Sequence, residues 1–403
     1  MNKLFLRVLS AMLVLVLVVP GSLLAQDEMA QMGDDIVEAC PAPQNLPDTV
    51  TIGALFTLSG GASVFGQVQQ LGVELAVEEI NAAEYLGQGR VLEVIFEDSA
   101  SDNTQAINAM VKLVEEDRVT AVLGPTLSRE AFSADPVAQD AGTPVMGVSN
   151  TATGITDMGE FVFRNSLPES AVIPGTVAQA AEILGINSAA IIYANDDDFT
   201  VSGFDVFEQT FADLGIEVVG VETYATGDVD FNTQLTNIIS ANPDLIAISA
   251  LAVEAVQIIL QAQSLGYEGA LMGGNGLNSP AVLEQTGDAS EGLIVGAAWN
   301  VAADNPLSVA FIDAYEAAND LLPDQFAAQA YTGAWLMATA IRCADSVDGA
   351  AVRDALAGIT DFDTPLGLFS FDEDRNPVHD PVAQVNRGGA FAVLTAEMMD
   401  DEG

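Results

Sequence analysis

The amino-acid sequence predicts an α/β protein of two lobes, each a largely parallel sheet covered by helices. Three observations carry that expectation. Strand-type and helix-type hydrophobic patterns alternate from Thr49 onward, which places crossover helices between parallel strands. Helices in the middle of the chain end in a recurring phrase, Leu184-Gly185-Ile186, Leu214-Gly215-Ile216 and Leu265-Gly266-Tyr267, each followed by a new strand. With 403 residues, half of them hydrophobic, the chain outgrows a single core and suits two of ordinary size.

The first series opens with a β-rich stretch from Val50 to Phe56. A helical segment from Gln67 to Asn81 follows, with apolar residues at Val68, Leu71, Leu75 and Ile80, and then β-rich Val91 to Phe96. A helix from Asn103 to Glu116, a strand from Val119 to Leu123, a helix after Ser128 and a strand from Val145 to Val148 complete it.

A second series begins near Pro168, with strands at Ala189 to Tyr193, Glu217 to Val221, Leu245 to Ser249 and Gly269 to Met272. Glycine just past a helix end adopts the left-handed conformation that turns the chain back toward the sheet. The all-apolar Leu245 to Ser249 stretch fits burial on both faces. After a strand at Gly292 to Ala297 come helices at Leu307 to Ala318, Phe326 to Ala344 and Ala350 to Ala357. The closing strands, Leu368 to Phe371, Val382 to Val385 and Phe391 to Leu394, are too closely spaced for a third domain and fit a chain that crosses back between the two lobes.

Ahead of this unit, Lys3 and Arg7 precede an apolar run from Val8 to Val19, then Pro20, Gly21 and Ala25, the pattern of a secretory signal peptide over residues 1–25. Residues 26–48 are acidic, contain Pro and lack periodicity, and read as a linker. The expected location is therefore outside the cytoplasmic membrane, periplasmic or at the cell surface. A lipid-anchored start at Cys40 is disfavoured because Glu38 sits two residues before it and the apolar run ends far upstream.

Charge is strongly one-sided, with 58 acidic residues against 11 basic ones, and removing Lys3 and Arg7 with the leader leaves 58 against 9, a net of −49. Nucleic acid is excluded as a partner, because phosphate binding needs basic patches. Lys112 is the one lysine beyond the leader, and such an acidic surface suits a salty medium. Two cysteines in an exported chain, Cys40 and Cys343, read as one disulfide, with two free thiols as the alternative.

Catalysis finds little footing. His379 is the one histidine and lies in an Asp/Pro-rich turn, so a Ser-His-Asp or Cys-His arrangement lacks a base and a metal site lacks ligands. The Gly-x-Ser-x-Gly elbow, the phosphate loop and the dinucleotide fingerprint do not occur. No cofactor is expected. Asp196-Asp197-Asp198 lacks the spaced ligands of a calcium loop and reads as a solvated loop, and Asp372 to Pro377 as a turn between strands.

Small polar loops follow several predicted strands: Thr57-Leu58-Ser59-Gly60-Gly61, Gly124-Pro125-Thr126-Leu127-Ser128 and Ser149-Asn150-Thr151. In an open α/β sheet, ligands bind beyond those strand ends, where helix N-termini present free N–H groups. Each loop could serve only as a helix cap, but three in one half of the chain point to a carboxylate or other acceptor-rich ligand.

From Thr49 to the last strand the chain resembles the periplasmic Leu/Ile/Val-binding proteins, the type I solute-binding components of ABC importers. The most specific stretch runs from Ile52-Gly53 through Ser59-Gly60 and Phe65-Gly66 to Gly72-Val73-Glu74-Leu75-Ala76-Val77-Glu78-Glu79-Ile80-Asn81. The Glu97-Asp98 strand end, Gly124-Pro125, Pro144-Val145, Phe163-Arg164 and Phe371-Asp372 match as well. The resemblance implies the type I periplasmic-binding-protein fold, two lobes joined by three hinge segments: residues 49–167 with 300–371, and residues 168–299 with 372–403.

It also implies a site. The ligand carboxylate would be held by Ser128 and by the main chain and hydroxyls of Ser149 and Thr151, between walls formed by Phe65, Phe199 and Phe326, with Leu251 where the family often has Tyr. The acid that meets the ligand's amino group falls on neutral Asn275, at the end of Leu271-Met272-Gly273-Gly274. That departure opens a second reading, a receptor for amides, urea-like solutes or organic acids in place of a branched-chain or other small amino acid. An exported hydrolase and a sensor domain are the rivals from other classes. The partners implied are a small-molecule solute and the membrane permease of an ABC importer, with the protein itself a monomer.

Overall fold

The computed structural model describes residues 40–397. The predicted leader and most of the acidic stretch that follows lie outside the described residues. The first lobe starts with β1 (Thr49–Phe56), α1 (Ser63–Ala82), β2 (Val91–Asp98) and α2 (Asn103–Val111), which runs on through a π-helical turn at Lys112–Asp117. It continues with β3 (Val122–Leu123), α3 (Ser128–Ala141), β4 (Val145–Gly147) and β5 (Val162–Arg164). The five strands pair in parallel, in the order β2-β1-β3-β4-β5. Three-residue β5 has no periodicity to reveal it; pairing of Val162 with Val145 adds it to the sheet edge.

The second lobe comprises α4 (Glu169–Leu184), β6 (Ser188–Ala194), α5 (Asp198–Leu214), β7 (Glu217–Tyr224), α6 (Asn232–Ser240), β8 (Leu245–Ser249), α7 (Ala252–Ser264), β9 (Ala270–Gly273), α8 (Pro280–Thr286) and β10 (Ile294–Ala297). The chain then returns with α9 (Pro306–Asn319), α10 (Gln325–Ala344) and α11 (Gly349–Ala357), whose buried residues Phe311, Trp335, Ile341 and Leu356 join the core over β1. A small antiparallel sheet of β11 (Phe362–Thr364), β12 (Gly367–Phe371) and β13 (Pro377–Val378) precedes a last crossing. The hairpin β14 (Val382–Arg387) and β15 (Ala390–Val393) completes the second sheet, ordered β15-β14-β10-β9-β8-β6-β7. The closely spaced final strands thus belong to two different sheets.

Alternation along the strands explains how each sheet is covered on both faces. In β1, Ile52, Ala54 and Phe56 pack beneath α1 and α10, whereas Leu55 faces Met110 and Leu113 on the opposite side. In β8, Ile246 and Ile248 enter one core, and Leu245 and Ala247 the other. Period-2 side-chain direction turns one apolar run into two half-cores. The recurring glycines Gly185, Gly215 and Gly266 all have positive φ, at 68°, 71° and 80°, ending α4, α5 and α7.

Cys40 and Cys343 are bonded, with Cα atoms 4.8 Å apart. The segment between Cys40 and β1 is pinned further: the N–H groups of Gln44 and Asn45 donate to Asp345, Arg90 donates to the carbonyls of Pro43, Gln44 and Leu46, and Leu46 is buried. Among the described residues, no helix is long and apolar enough to cross a membrane.

Candidate functional site

The parallel strands of both sheets present their C-terminal ends to the junction between lobes, and a narrow cleft lies there, with about 340 Å³ of atom-free space including its open mouth. Its first-lobe wall is Thr126, Leu127 and Ser128 after β3, Ser149 after β4, Phe65 at the start of α1 and Phe326 at the start of α10. Facing these are Asp197 and Phe199 at the start of α5, Leu251 before α7, and Asn275 and Gly276 after β9. The structure therefore brings together Ser128, Ser149, Phe65, Phe199, Leu251, Asn275 and Phe326. Thr151 does not line the cleft; its hydroxyl lies 3.5 Å from Glu169 Oε1. The rings of Phe65 and Phe326 stand 4.6 Å apart and form the apolar floor.

Anion-binding capacity concentrates at Ser128. It opens α3 behind Leu127, whose own N–H donates to Glu130 at 3.3 Å and whose side chain caps nothing, and the positive end of the helix dipole lies at the cleft. Ser128 Oγ accepts from the Ala152 N–H at 3.3 Å and keeps its proton to donate. The Ser149 hydroxyl is engaged differently, donating to the Thr126 carbonyl at 2.6 Å and accepting from Gln69 at 2.7 Å. It braces the loop, and the Ser149 carbonyl is engaged by Asn275. Arg164 holds the same loop from behind through the carbonyls of Asn150 and Ala152, and burial lowers its pKa to about 10.

Two acids were not anticipated in these roles. Glu169, at the start of α4, is 2% exposed. Its Oε1 accepts the Asn275 N–H at 3.0 Å, and its carboxylate lies so close to Gly274 that a Cβ there would come within 2.6 Å of Oε2. Burial pushes the Glu169 carboxyl up to about 7, against the lowering effect of the Asn275 N–H and the Thr151 hydroxyl. Asn275 itself is occupied, accepting from Gln325 and donating to the Ser149 carbonyl at 3.3 Å.

Asp197 corrects the solvated-loop reading. It is 3% exposed, caps α5 by accepting from the N–H groups of Phe199 and Thr200, and pairs with Arg129 of the first lobe at 2.7 Å. Consecutive residues diverge in direction, so Asp197 turns inward while Asp196 reaches the exposed Thr226 turn. Asp197→Asn is expected to destabilise the protein by about 2 kcal/mol, since it removes the charged partner of the half-buried Arg129 and weakens a buried helix cap. Denaturant unfolding checks this, and an unchanged midpoint would contradict it.

A cleft with a helix N-terminus on one side, apolar walls and an acid, Asp197, from the second lobe is built to enclose a small molecule. Among the described residues, no group of His, Cys, Asp and Glu is placed to hold a metal, and His379 packs beside Phe369 and lines no part of the cleft. The molecule is therefore a two-lobed solute receptor. The chain belongs to the periplasmic binding protein family, whose sequence model matches residues 49–390. Members of that family are exported binding proteins, not enzymes, and deliver solutes to ABC-importer permeases.

It is 29% identical over 327 residues to the leucine-, isoleucine-, valine-, threonine- and alanine-binding protein of Pseudomonas aeruginosa, covering 81% of this chain and 86% of that protein. Two solved structures share the fold. A leucine-binding protein of Thermotoga maritima superposes with a TM-score of 0.81 at 25% identity, over 86% of this chain and 98% of that one. The branched-chain amino acid substrate-binding protein of Streptococcus pneumoniae, in complex with isoleucine, gives 0.80 at 29% identity, over 86% and 99%.

Proposed function

We propose that this protein captures a small apolar α-amino acid, of the leucine, isoleucine and valine class, and presents it to an ABC importer. The observation that carries this reading is the helix start at Ser128 standing across the cleft from Asn275, behind which the buried Glu169 carboxylate accepts the Asn275 N–H. An amino acid's carboxylate suits the helix start, its ammonium the Glu169 carboxylate, and its side chain the Phe65, Phe199, Leu251 and Phe326 walls. Neutral Asn275 ceases to argue for an amide or organic acid, because its backbone N–H holds Glu169 in position. The names of the Pseudomonas, Thermotoga and Streptococcus proteins support the same class of solute.

The lobes in this reading are residues 49–167 with 300–371 and residues 168–299 with 372–403. Sheet membership supports the assignment, since β6 to β10 share a sheet with β14 and β15. Residues 1–25 act as the export signal, and the mature chain works as a monomer in the periplasm or at the cell surface. Closure about the three crossings brings the Ser128 side and the Glu169 side onto one ligand.

Ser128→Ala is expected to weaken amino acid binding by about 1.5 to 3 kcal/mol, the worth of a hydrogen bond to a charged group, roughly ten- to a hundredfold or more in Kd. Thr151→Ala, whose hydroxyl is turned toward Glu169, should have a smaller effect. Titration calorimetry decides; equal affinity in Ser128→Ala and wild type would sink the proposed carboxylate pocket.

A further inference from the structure

A second cavity lies on the flank of the lobe junction, with about 1,110 Å³ of atom-free space including its open mouth. Its walls come from α8, the crossing after β10, the segment joining α9 to α10, and the turn between β14 and β15, so both lobes contribute. Trp299, Leu283 and Phe391 line it together with Leu321 and Leu322, which are 47% and 54% exposed. Glu284, Glu316, Asp320 and Asp324 stand around this apolar surface, and no Lys, Arg or His does.

The floor is a directed run of amides. Asn300 Nδ2 donates to Gln384 Oε1 at 2.6 Å, and Gln384 Nε2 donates to Asn278 Oδ1. The run ends at Asn278, which is 5% exposed and lines the cavity, with its Nδ2 covered by protein.

We infer that this cavity is a second ligand site, taking a small organic amine with an apolar body. The carboxylates meet the ammonium, and the leucines and Trp299 cover the body. An anionic solute, the kind the Ser128 side of the main cleft accepts, finds no cation here. Asp324 adds to the fit: its Oδ1 caps α10 through the Ala327 N–H, and burial pushes its carboxyl up to about 7, a cost that a neighbouring ammonium relieves. The two sites share a wall, because Gln325 lines this cavity and donates to Asn275 of the main cleft.

The test uses the full mature protein labelled with 5-fluorotryptophan, which carries just two tryptophans. Trp299 lines the cavity and Trp335 lies in the first-lobe core, and Trp299→Phe assigns the two fluorine resonances. Phenylalaninol should move the Trp299 resonance saturably and leave Trp335 in place. Its amine-free analogue 3-phenyl-1-propanol should bind at least tenfold more weakly, and 3-phenylpropionate should leave the resonance unmoved. Leu322→Lys, at an exposed position that tolerates change, should weaken phenylalaninol at least tenfold by placing a competing cation at the wall. An unmoved Trp299 resonance, equal binding of 3-phenyl-1-propanol, or a wild-type titration in Leu322→Lys would overturn the assignment. None of these readouts depends on which solute the main cleft takes.

Discussion

Glu169→Gln is expected to cost amino acid binding about 3 to 5 kcal/mol, because it leaves the ligand's ammonium enclosed without a counter-charge. That is roughly a hundredfold to several thousandfold in Kd. The fold itself should not suffer, since the substitution removes a buried carboxylate held mainly by one backbone N–H. The pH dependence follows from the same group. Burial raises its pKa to about 7, so below that pH the free protein carries a protonated Glu169 and must release the proton to pair with an ammonium. Affinity should fall by up to about tenfold per pH unit below 7 and level off above it, and Glu169→Gln should flatten the profile. Calorimetric titrations of leucine between pH 5 and 8.5 measure both effects. A variant that binds leucine as tightly as wild type would place Glu169 outside the ligand's reach.

Removing the Cys40–Cys343 bond should be the largest single loss of stability. The bond closes a loop with a sequence separation of 303 residues, and in the chain-entropy model a loop of that length contributes about 6 kcal/mol. The full value requires that the N-terminal segment be ordered in the folded state. The contacts of Gln44 and Asn45 with Asp345 and of Arg342 with the Cys40 carbonyl meet that requirement. Urea unfolding of the paired Cys40→Ser, Cys343→Ser variant should show a midpoint far below wild type, with the solute titration unchanged. Equal midpoints, or both thiols alkylating in unreduced denatured protein, would contradict it.

Most of the fold was legible because helix and strand periods are local properties. Ser128 could be placed at a helix start after a predicted strand end, and Phe65 and Phe326 from the family resemblance. Glu169 could not. In sequence it is an ordinary acid following Pro168 at the first turn of a helix, and its burial depends on the Gly274-Asn275 turn arriving from 106 residues away. Gly274 was the available signal, because a residue without a Cβ is what lets a backbone lie against a carboxylate. Asp197 was misjudged for a related reason: an acidic triplet looks solvated until a partner from the other lobe, Arg129, is placed beside one of its members. The Ser149 hydroxyl likewise looked free until Gln69 and the Thr126 carbonyl converged on it.

The central claim is that the cleft recognises both charged ends of an amino acid, carboxylate at Ser128 and ammonium at Glu169. Titration calorimetry of ligand-stripped protein at pH 8 with leucine and with 4-methylpentanoate, which is leucine without its amino group, tests it most directly. The account predicts saturable one-to-one binding of leucine and a loss of a hundredfold or more for 4-methylpentanoate; equal or tighter binding of 4-methylpentanoate would contradict it.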